Sequence, residues 1–426
     1  MTARNARVHA RLPLPPVPVR PCTGAAVALA FDGVPFPVIF RDCPEVVACL
    51  EQVLRGWRVC RVPEEDGGPR IEITPDRNGY RTEASWLDEP LEGASAASTV
   101  CSLMVDLVRA LVAGDASLLC LHCGAARLDG WLVVFTGPNR TGKSTLMARL
   151  AAAGISIFSD DLLLITGPND CGRSLGMRGR LRVPLPATAS ATFRRFVADQ
   201  SGPGDERYLY VDAQAYEPFG ATAPIGAVVV LQRRQGAPAH FVSAGRAEAL
   251  RHLIERNLAR GEHAQMIMER LHRLMARSAC VRLVYSDLDD AAALIANTFN
   301  QWPAGGVAVS ARPQRPVPAA STGTRSGAAA ADRAKYRSHP DVTIRAVDGE
   351  LFLAGAEGDA IWHLNVLGAA VWRLLAGPAS AAEAAAALTA AFPEADPAVI
   401  ARDVDALFAG LAANRLIVEP EPVRSA

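Results

Sequence analysis

The sequence predicts an α/β protein of several domains: a small α+β unit, then a larger α/β domain, and last a small winged-helix-like unit. Three observations lead to this prediction. Residues 131–153 read as a strand, a glycine-rich turn and an apolar helix. Residues 303–335 change abruptly to a Pro-, Gly-, Ser- and Ala-rich composition. Three strand-like and three helical runs then follow within residues 339–420. A chain of 426 residues is also too long for one ordinary domain.

Composition narrows the class of protein. Hydrophobic residues make up 50% of the chain and charged residues 21%, which is typical of a globular protein. Lys plus Arg and Asp plus Glu both number 44, so no overall basic field favours nucleic acid. Residues 1–24 form an arm rich in Pro and Arg without the apolar segment of a secretion signal, and no uninterrupted apolar run is long enough to span a bilayer. We therefore expect a cytoplasmic protein that binds neither nucleic acid nor membrane.

The cysteines indicate a reducing environment. They number nine and are scattered along the chain. Cys120 and Cys123 form an isolated CxxC, a spacing that also occurs in redox pairs and half zinc sites. No second pair or His partner accompanies it, so we expect reduced and mostly buried thiols.

Residues 25–118 are predicted to form the small α+β unit. RIEITPD and GYRTEASWL have the pattern of a hairpin, with a turn at residues 76–79. Residues 96–113 carry apolar side chains at helical spacing, so a helix should lead into the next domain. Nothing in these residues indicates a function.

Residues 119–302 are predicted to form the nucleotide domain, because WLVVFTGPNRTGKST joins a strand to the spacing GxxxxGK[ST] and then to a helix. In such a phosphate loop (Walker A motif), glycines turn backbone N–H groups inward and the helix adds its positive dipole end. Lys143 should reach the β- and γ-phosphates of ATP or GTP, and the Ser144 hydroxyl should ligate Mg²⁺. The predicted nucleotide-binding residues are Gly137, Pro138, Asn139, Arg140, Thr141, Gly142, Lys143, Ser144 and Thr145.

A pair of carboxylates follows the next predicted strand. ISIF ends at Ser159, and Asp160 and Asp161 come directly after it. Two charges in so apolar a stretch require compensation, which nucleotide-bound Mg²⁺ would supply. The predicted metal ligands are Ser144 and one member of this Asp pair. The alternative is a turn in which one Asp caps the backbone.

After the Asp pair, the sequence of this domain contains an arginine-rich segment and then further strand and helix patterns. The arginine-rich segment at residues 172–186 is consistent either with a clamp for phosphates or an acidic peptide, or with a solvated loop. PIGAVVVLQRR predicts a buried strand, residues 248–275 a helix, and VRLVYSDL a last strand before a final helix. Residues 303–338 have the composition of a flexible linker.

The C-terminal unit, residues 339–420, has strands VTIRAV, LFLA and AIWHL, and helices that open at Asn365, at Ser380 with Glu383, and at Asp396 with Pro397. Many winged-helix units bind DNA, but few basic residues occur here. An open sheet edge suits an added peptide strand instead.

Two resemblances extend this reading. His122, GPNRTGKS and the Ser159–Asp161 triplet, in this order and spacing, resemble the catalytic core of HPr kinase/phosphorylase. The resemblance implies that Asp161 is the base for a protein serine hydroxyl, that Asp160 is its partner or an indirect Mg²⁺ ligand, and that Lys143 and His122 lie at the phosphates. It also implies a homo-oligomer. A hydrogen-bonded strand histidine remains the alternative for His122.

The C-terminal unit is similar to PqqD, the peptide chaperone of quinone-cofactor biosynthesis, through GELFLAG, HLNVLGAAVWRLLAG, DVDALFAGL and RLIVEP. The resemblance implies that a leader peptide lies along the third strand and against the third helix. The corresponding residues are Asp359, Ala360, Ile361, Trp362, His363, Leu364, Asp403 and Leu407. Trp362 and Leu364 could also be core residues.

Together these features lead to one hypothesis: an ATP-dependent kinase that phosphorylates a Ser or Thr of a precursor peptide held by the C-terminal unit. Two alternatives remain. One is a kinase of a small metabolite or regulatory protein, and the other is a nucleotide-switched peptide chaperone.

Overall fold

The computed structural model describes residues 26–64, 67–258, 264–301, 334–355 and 360–420. The predictions for the arm at residues 1–24, for most of the linker at 303–338 and for Asp359 fall outside these ranges. The chain is a mixed α/β protein, as the sequence predicts.

The N-terminal region is one six-stranded sheet with two helices. The strand order is β3-β1-β2-β4-β5-β6, and the predicted hairpin is confirmed by the pairing of Asp76 with Gly79. The elements are β1 Ala26–Phe31, β2 Val38–Arg41, α1 Pro44–Val53, β3 Val59–Val62, β4 Ile71–Asp76, β5 Gly79–Ala84, β6 Leu91–Gly93 and α2 Ala96–Gly114.

Helix α2 joins this region to the rest of the protein. It begins at a capping box in which Ser95 and Ser98 satisfy each other's backbone N–H groups. Its apolar face, including Val100 and Met104, packs in one continuous core with Leu121 and Leu163 of the next domain. Within the described residues α2 is the one helix long and apolar enough to cross a membrane, but just over half of it is buried inside the protein.

The nucleotide domain contains the elements β7 Leu119–His122, β8 Gly124–Leu128, β9 Trp131–Thr136, α3 Lys143–Ala152, β10 Ser156–Ser159, β11 Leu162–Thr166, β12 Cys171–Arg173, β13 Gly179–Arg182, α4 Ala191–Asp199, β14 Ser201–Gly204, β15 Tyr208–Val211, β16 Thr222–Ala223, β17 Ile225–Arg233, β18 His240–Ser243, α5 Arg246–Glu255, α6 Ala264–Arg277, β19 Ala279–Tyr285 and α7 Leu288–Phe299. Cys120 and Cys123, in and just after β7, are buried and free, as predicted.

The central sheet has the order β10-β8-β9-β17-β19-β18. Strand β9 runs parallel to β17, and β17 runs parallel to β19. Strand β8 is antiparallel to both β9 and β10, so β10 points the same way as β9. The phosphate loop after β9 and the Asp pair after β10 therefore emerge at the same edge of the sheet.

A second sheet, β16-β12-β11-β7, places His122. Strands β7 and β11 are antiparallel, with His122 paired to Leu162. Because Leu162 directly follows Asp161, this register brings His122 beside the Asp pair.

The predicted helix at residues 248–275 is corrected by the structure. Helix α5 ends at Glu255, and α6 begins separately at Ala264. The chain between them turns to pair with β7, since His122 N–H donates to Arg256 C=O and Leu258 N–H donates to Cys120 C=O.

The C-terminal module contains β20 Arg337–Ser338, β21 Thr343–Val347, β22 Glu350–Ala354, β23 Ile361–Leu364, α8 Val366–Leu374, α9 Ala381–Ala391, α10 Pro397–Ala413 and β24 Ile417–Val418. Its sheet has the order β21-β22-β23, and β20 pairs with β24. The predicted strands and helices are present; the winged-helix arrangement and the domain boundaries remain predictions.

The module's sheet is buried on both faces. Leu351, Leu353 and Trp362 pack against the module's own helices. Phe352 and Ala354, on the other face, belong to the core shared by the N-terminal region and the nucleotide domain. This alternation follows the two-residue period of a strand, and it means that the module lies against the nucleotide domain.

Polar contacts surround that apolar seam. The Arg345 guanidinium pairs with the Glu269 carboxylate of α6. Asp348 Oδ2 accepts a hydrogen bond of 3.0 Å from Ala247 N–H at the start of α5. The N-cap of α5 is Gly245, which has no side chain to cap the helix, so Asp348 supplies the missing acceptor.

Candidate nucleotide and peptide sites

The phosphate loop has the backbone that its glycines make possible. Gly137, Arg140 and Gly142 have φ values of 143°, 66° and 92°. A Cβ at Gly137 would lie 2.9 Å from Leu231 C=O, closer than real contacts allow. The first loop position therefore requires glycine for both conformation and space.

The loop is held in place from both sides. Tyr285 Oη donates to Thr141 C=O at 2.7 Å, and Thr141 Oγ1 donates to Pro138 C=O at 3.0 Å. Helix α3 begins after Gly142 without a side-chain cap. Its first N–H groups are thus left for an external acceptor, which suits a phosphate.

Asp161 and His122 form a close pair beside the loop. His122 Nε2 lies 2.6 Å from Asp161 Oδ1, and both side chains are more than a third exposed. Burial acts to raise the pKa of Asp161, but the hydrogen bond and charge of His122 and the charges of Arg180 and Lys143 outweigh it and lower the pKa below its usual value. Asp161 is therefore ionised, accessible and oriented by a histidine.

Asp160 has the opposite environment. It is buried, and desolvation, together with the charge of Asp161, raises its pKa to about 6. Its Oδ2 accepts from Arg180 N–H at 2.8 Å, whereas its Oδ1 is buried and has no hydrogen-bond partner. An orphaned carboxylate oxygen in this position calls for a cation or a proton.

The predicted metal ligands do come together. The Ser144 hydroxyl lies close enough to Asp160 to oppose the rise of its pKa. No group of three or more His, Cys, Asp or Glu side chains able to hold a metal occurs in the described part of the chain. Hydroxyl and carboxylate oxygens suit Mg²⁺, which keeps few protein ligands and binds mainly through phosphates. The donor set fits magnesium carried by a nucleotide.

The arginine-rich segment lies at this site, whereas its sequence was equally consistent with a solvated loop. Arg178 and Arg180 line a small cleft together with Asp160, Asp161 and other side chains. The Arg178 guanidinium pairs with the Asp212 carboxylate, and the Arg180 guanidinium lies 4.1 Å from the centre of the Tyr208 ring. The sequence indicated Arg180 only as one of several arginines in this segment, whereas the structure shows that both its backbone N–H and its charge act on Asp160.

A second cleft opens on the other side of the loop. Gly142 and Thr145 form its loop side, and Arg233, Tyr285 and Ser286 form its far side. These last residues follow or end β17 and β19, whereas the Asp pair follows β10. The phosphate loop therefore has the carboxylates on one side and an open cleft on the other.

The predicted peptide-binding residues lie on β23 and α10. In the described residues β23 pairs with β22 alone, so its other edge is open. Trp362 and Leu364 point into the module core, and His363 Nε2 lies 2.5 Å from Glu350 Oε2. Only the backbone of this strand is thus free for a partner. Ala360 precedes β23 and is half-buried, Ile361 packs on the nucleotide-domain side, and Asp403 and Leu407 are half-buried one turn apart on α10.

Comparisons with known proteins agree with the two resemblances in different degrees. The HPr(Ser) kinase/phosphatase of Coxiella burnetii is among the similar solved structures, with 16% identity and a TM-score of 0.18 over 28% of this chain and 62% of that protein's chain. A likeness of this size says nothing by itself about activity. No curated protein matches the chain. Residues 350–417 match the family model of coenzyme PQQ synthesis protein D (PqqD), so the C-terminal module contains a PqqD-like domain.

Proposed function

We propose that this protein is an ATP-dependent kinase that phosphorylates a Ser or Thr hydroxyl of a precursor peptide bound by its PqqD-like domain. The observation that supports this most strongly is the convergence of four side chains, Lys143, Ser144, Asp160 and Asp161, at one edge of the central sheet. Magnesium bound with the nucleotide would neutralise phosphate charge at Ser144 and Asp160.

The positions of the carboxylates and the loop favour one orientation of the nucleotide. We place the base and ribose on the side of the loop that carries Thr145 and faces Tyr285, because this side lies away from the carboxylates. The terminal phosphate then points towards Lys143 and Asp161. We expect the acceptor hydroxyl to approach Asp161 from solvent, because the side chain of Asp161 is accessible.

The chemistry needs one proton acceptor and correct placement. The hydroxyl oxygen forms a bond to the γ-phosphorus as the bond from that phosphorus to the β,γ-bridging oxygen breaks, and ADP leaves with that oxygen. The hydroxyl proton passes to Asp161, which is ionised and accessible. His122, hydrogen bonded to the same carboxylate, orients it and stabilises its charge.

The PqqD-like domain would supply the peptide. An extended leader can add to the open edge of β23 by backbone hydrogen bonds. Because the module lies on α5 and α6 of the nucleotide domain, the leader would be held at a fixed place rather than at the end of a free tether. Binding of the leader would raise the effective concentration of the acceptor residue at the phosphate loop.

The test is phosphate transfer. The full-length protein, with Mg²⁺ and γ-labelled ATP, is incubated with a synthetic peptide that joins a leader bound by the PqqD-like domain to a segment containing Ser and Thr, and the product is located by mass spectrometry. We expect a phosphorylated Ser or Thr with the wild type and none with Lys143→Ala, while peptide binding is unchanged. Transfer by Lys143→Ala would exclude this mechanism.

The same experiment separates the alternatives. Phosphorylation of a small hydroxylated compound or folded protein, without transfer to the peptide, would favour a metabolite or protein kinase. Peptide affinity that changes with ATP, without any phosphorylated product, would favour a nucleotide-switched chaperone.

A further inference from the structure

Arg256 has a position that the mechanism above does not use. It is the C-cap residue that directly follows α5. Its C=O accepts the His122 N–H at 2.7 Å, and Leu258, two residues later, donates to Cys120 C=O at 2.8 Å. The backbone of Arg256 is therefore fixed to β7, the strand that carries His122 to the Asp pair.

The guanidinium of Arg256 reaches the phosphate loop but is poorly satisfied there. Its Nη2 donates to Gly137 C=O at 3.5 Å, a long and weak hydrogen bond. Its Nε is buried without any partner. Across the described ranges no carboxylate pairs with it, and Glu255, next to it, lies 3.6 Å from Arg251 instead. A buried guanidinium nitrogen in this state lacks an acceptor.

A second cation lies close by. Burial lowers the pKa of Lys143, and the charge of Arg256 lowers it further, so the two cations repel each other in the absence of an anion. Like charges brought together at a partly buried site are costly unless something negative lies between them. A phosphate would remove the repulsion and give the guanidinium its acceptor.

The side of the phosphate loop on which Arg256 lies indicates which phosphate group it binds. Arg256 contacts Gly137, the first loop residue, and neighbours His122, whereas the proposed function places the base on the Thr145 side of the loop. We propose that Arg256 binds the terminal phosphate of the nucleotide, opposite the base and next to His122 and Asp161. This inference rests on the nucleotide part of the proposed function and not on the identity of the acceptor.

The test compares two ligands that differ by that phosphate. Dissociation constants for Mg²⁺-ADP and for the magnesium complex of the β,γ-imido analogue of ATP are measured by calorimetry on the full-length protein. Arg256→Met should weaken binding of the triphosphate analogue by about tenfold or more, as expected for a lost charged hydrogen bond, and of ADP by less than about threefold. Arg256→Lys should lie between the wild type and Arg256→Met.

Arg251→Met is the matched control, because it removes the same charge from the same helix at an exposed position. It should leave both constants unchanged. An equal loss of both ligands in Arg256→Met and Arg256→Lys, or no loss of either, would overturn the assignment. Retained ADP binding reports that the variants are folded. Since no phosphate is transferred in this measurement, its result is independent of whether a peptide is the acceptor.

Discussion

Asp348 of the PqqD-like module accepts a hydrogen bond from Ala247 N–H and so caps a helix of the nucleotide domain. The C-cap residue of that helix, α5, is Arg256, whose side chain reaches the phosphate loop. A residue of the PqqD-like module and a residue that contacts the phosphate loop thus lie at opposite ends of one helix. The module is consequently part of the support of the nucleotide site.

Removing this cap should loosen the contact between module and helix. We expect Asp348→Ala to lower the free energy of unfolding by about 1 kcal/mol, the usual cost of a lost N-cap. Glu394→Ala, at an exposed site between α9 and α10, is the control and should change little. Urea unfolding of both variants measures the difference, and equal stabilities would show that Asp348 does not act as a cap.

The apolar seam should matter more than the polar contacts. Phe352 is fully buried on the face of the module that meets the nucleotide domain, so Phe352→Ala should cost about 3–5 kcal/mol. Ile344→Ala, on the neighbouring strand and 39% exposed, is the control and should cost far less. Thermal and urea unfolding compare them. Truncation of the module would expose the apolar core around α6 and so destabilise the nucleotide domain. Point variants therefore test the role of the module more directly than truncation does.

Asp160 should make the nucleotide-free protein less stable as pH rises. The pKa of Asp160 is raised in the folded state from 3.8 to about 6. Protonated Asp160 therefore contributes its full share to the free energy of unfolding below pH ~4, and this share is lost as pH rises through about 6. The loss is on the order of 3 kcal/mol. In EDTA, Asp160→Asn should therefore be more stable than the wild type at pH 7.5, and the two should converge near pH 4. Lower stability of Asp160→Asn at pH 7.5 would contradict this account.

Replacing Asp160 and replacing Asp161 should have different effects on activity. Asp161→Asn should reduce phosphate transfer by about 10²-fold or more while nucleotide affinity is kept, because it removes the proton acceptor. Asp160→Asn should weaken the dependence of nucleotide affinity on Mg²⁺, because it removes the charge beside Ser144. Transfer rates and magnesium titrations distinguish the variants, and an identical pattern for both would argue against separate roles.

The parts of this protein that sequence could predict are those written in local patterns. The phosphate loop and the hairpin that turns after Asp76 are encoded by glycine spacing and turn residues. The single helix predicted at residues 248–275 was wrong because its end depends on pairing with β7, far away in sequence. Arg256 was missed for the same reason, since only that pairing brings it to the loop.

Burial also distinguishes Asp160 from Asp161, which the sequence motif does not. Asp160 and Asp161 are adjacent in sequence, yet one is buried with an orphaned oxygen and the other is exposed beside His122. The division of their environments follows from the register of β7 with β11, which no local pattern encodes. In the same way Trp362 and Leu364 belong to the module core, so only the backbone of β23 remains for a peptide.

The most direct measurement of the central claim is the dependence of phosphate transfer on the leader. Label from γ-labelled ATP is followed into the same acceptor segment supplied with its leader attached and without it. We predict transfer by the wild type that falls about tenfold or more when the leader is removed. Equal transfer to both peptides, or none to either, would contradict the account.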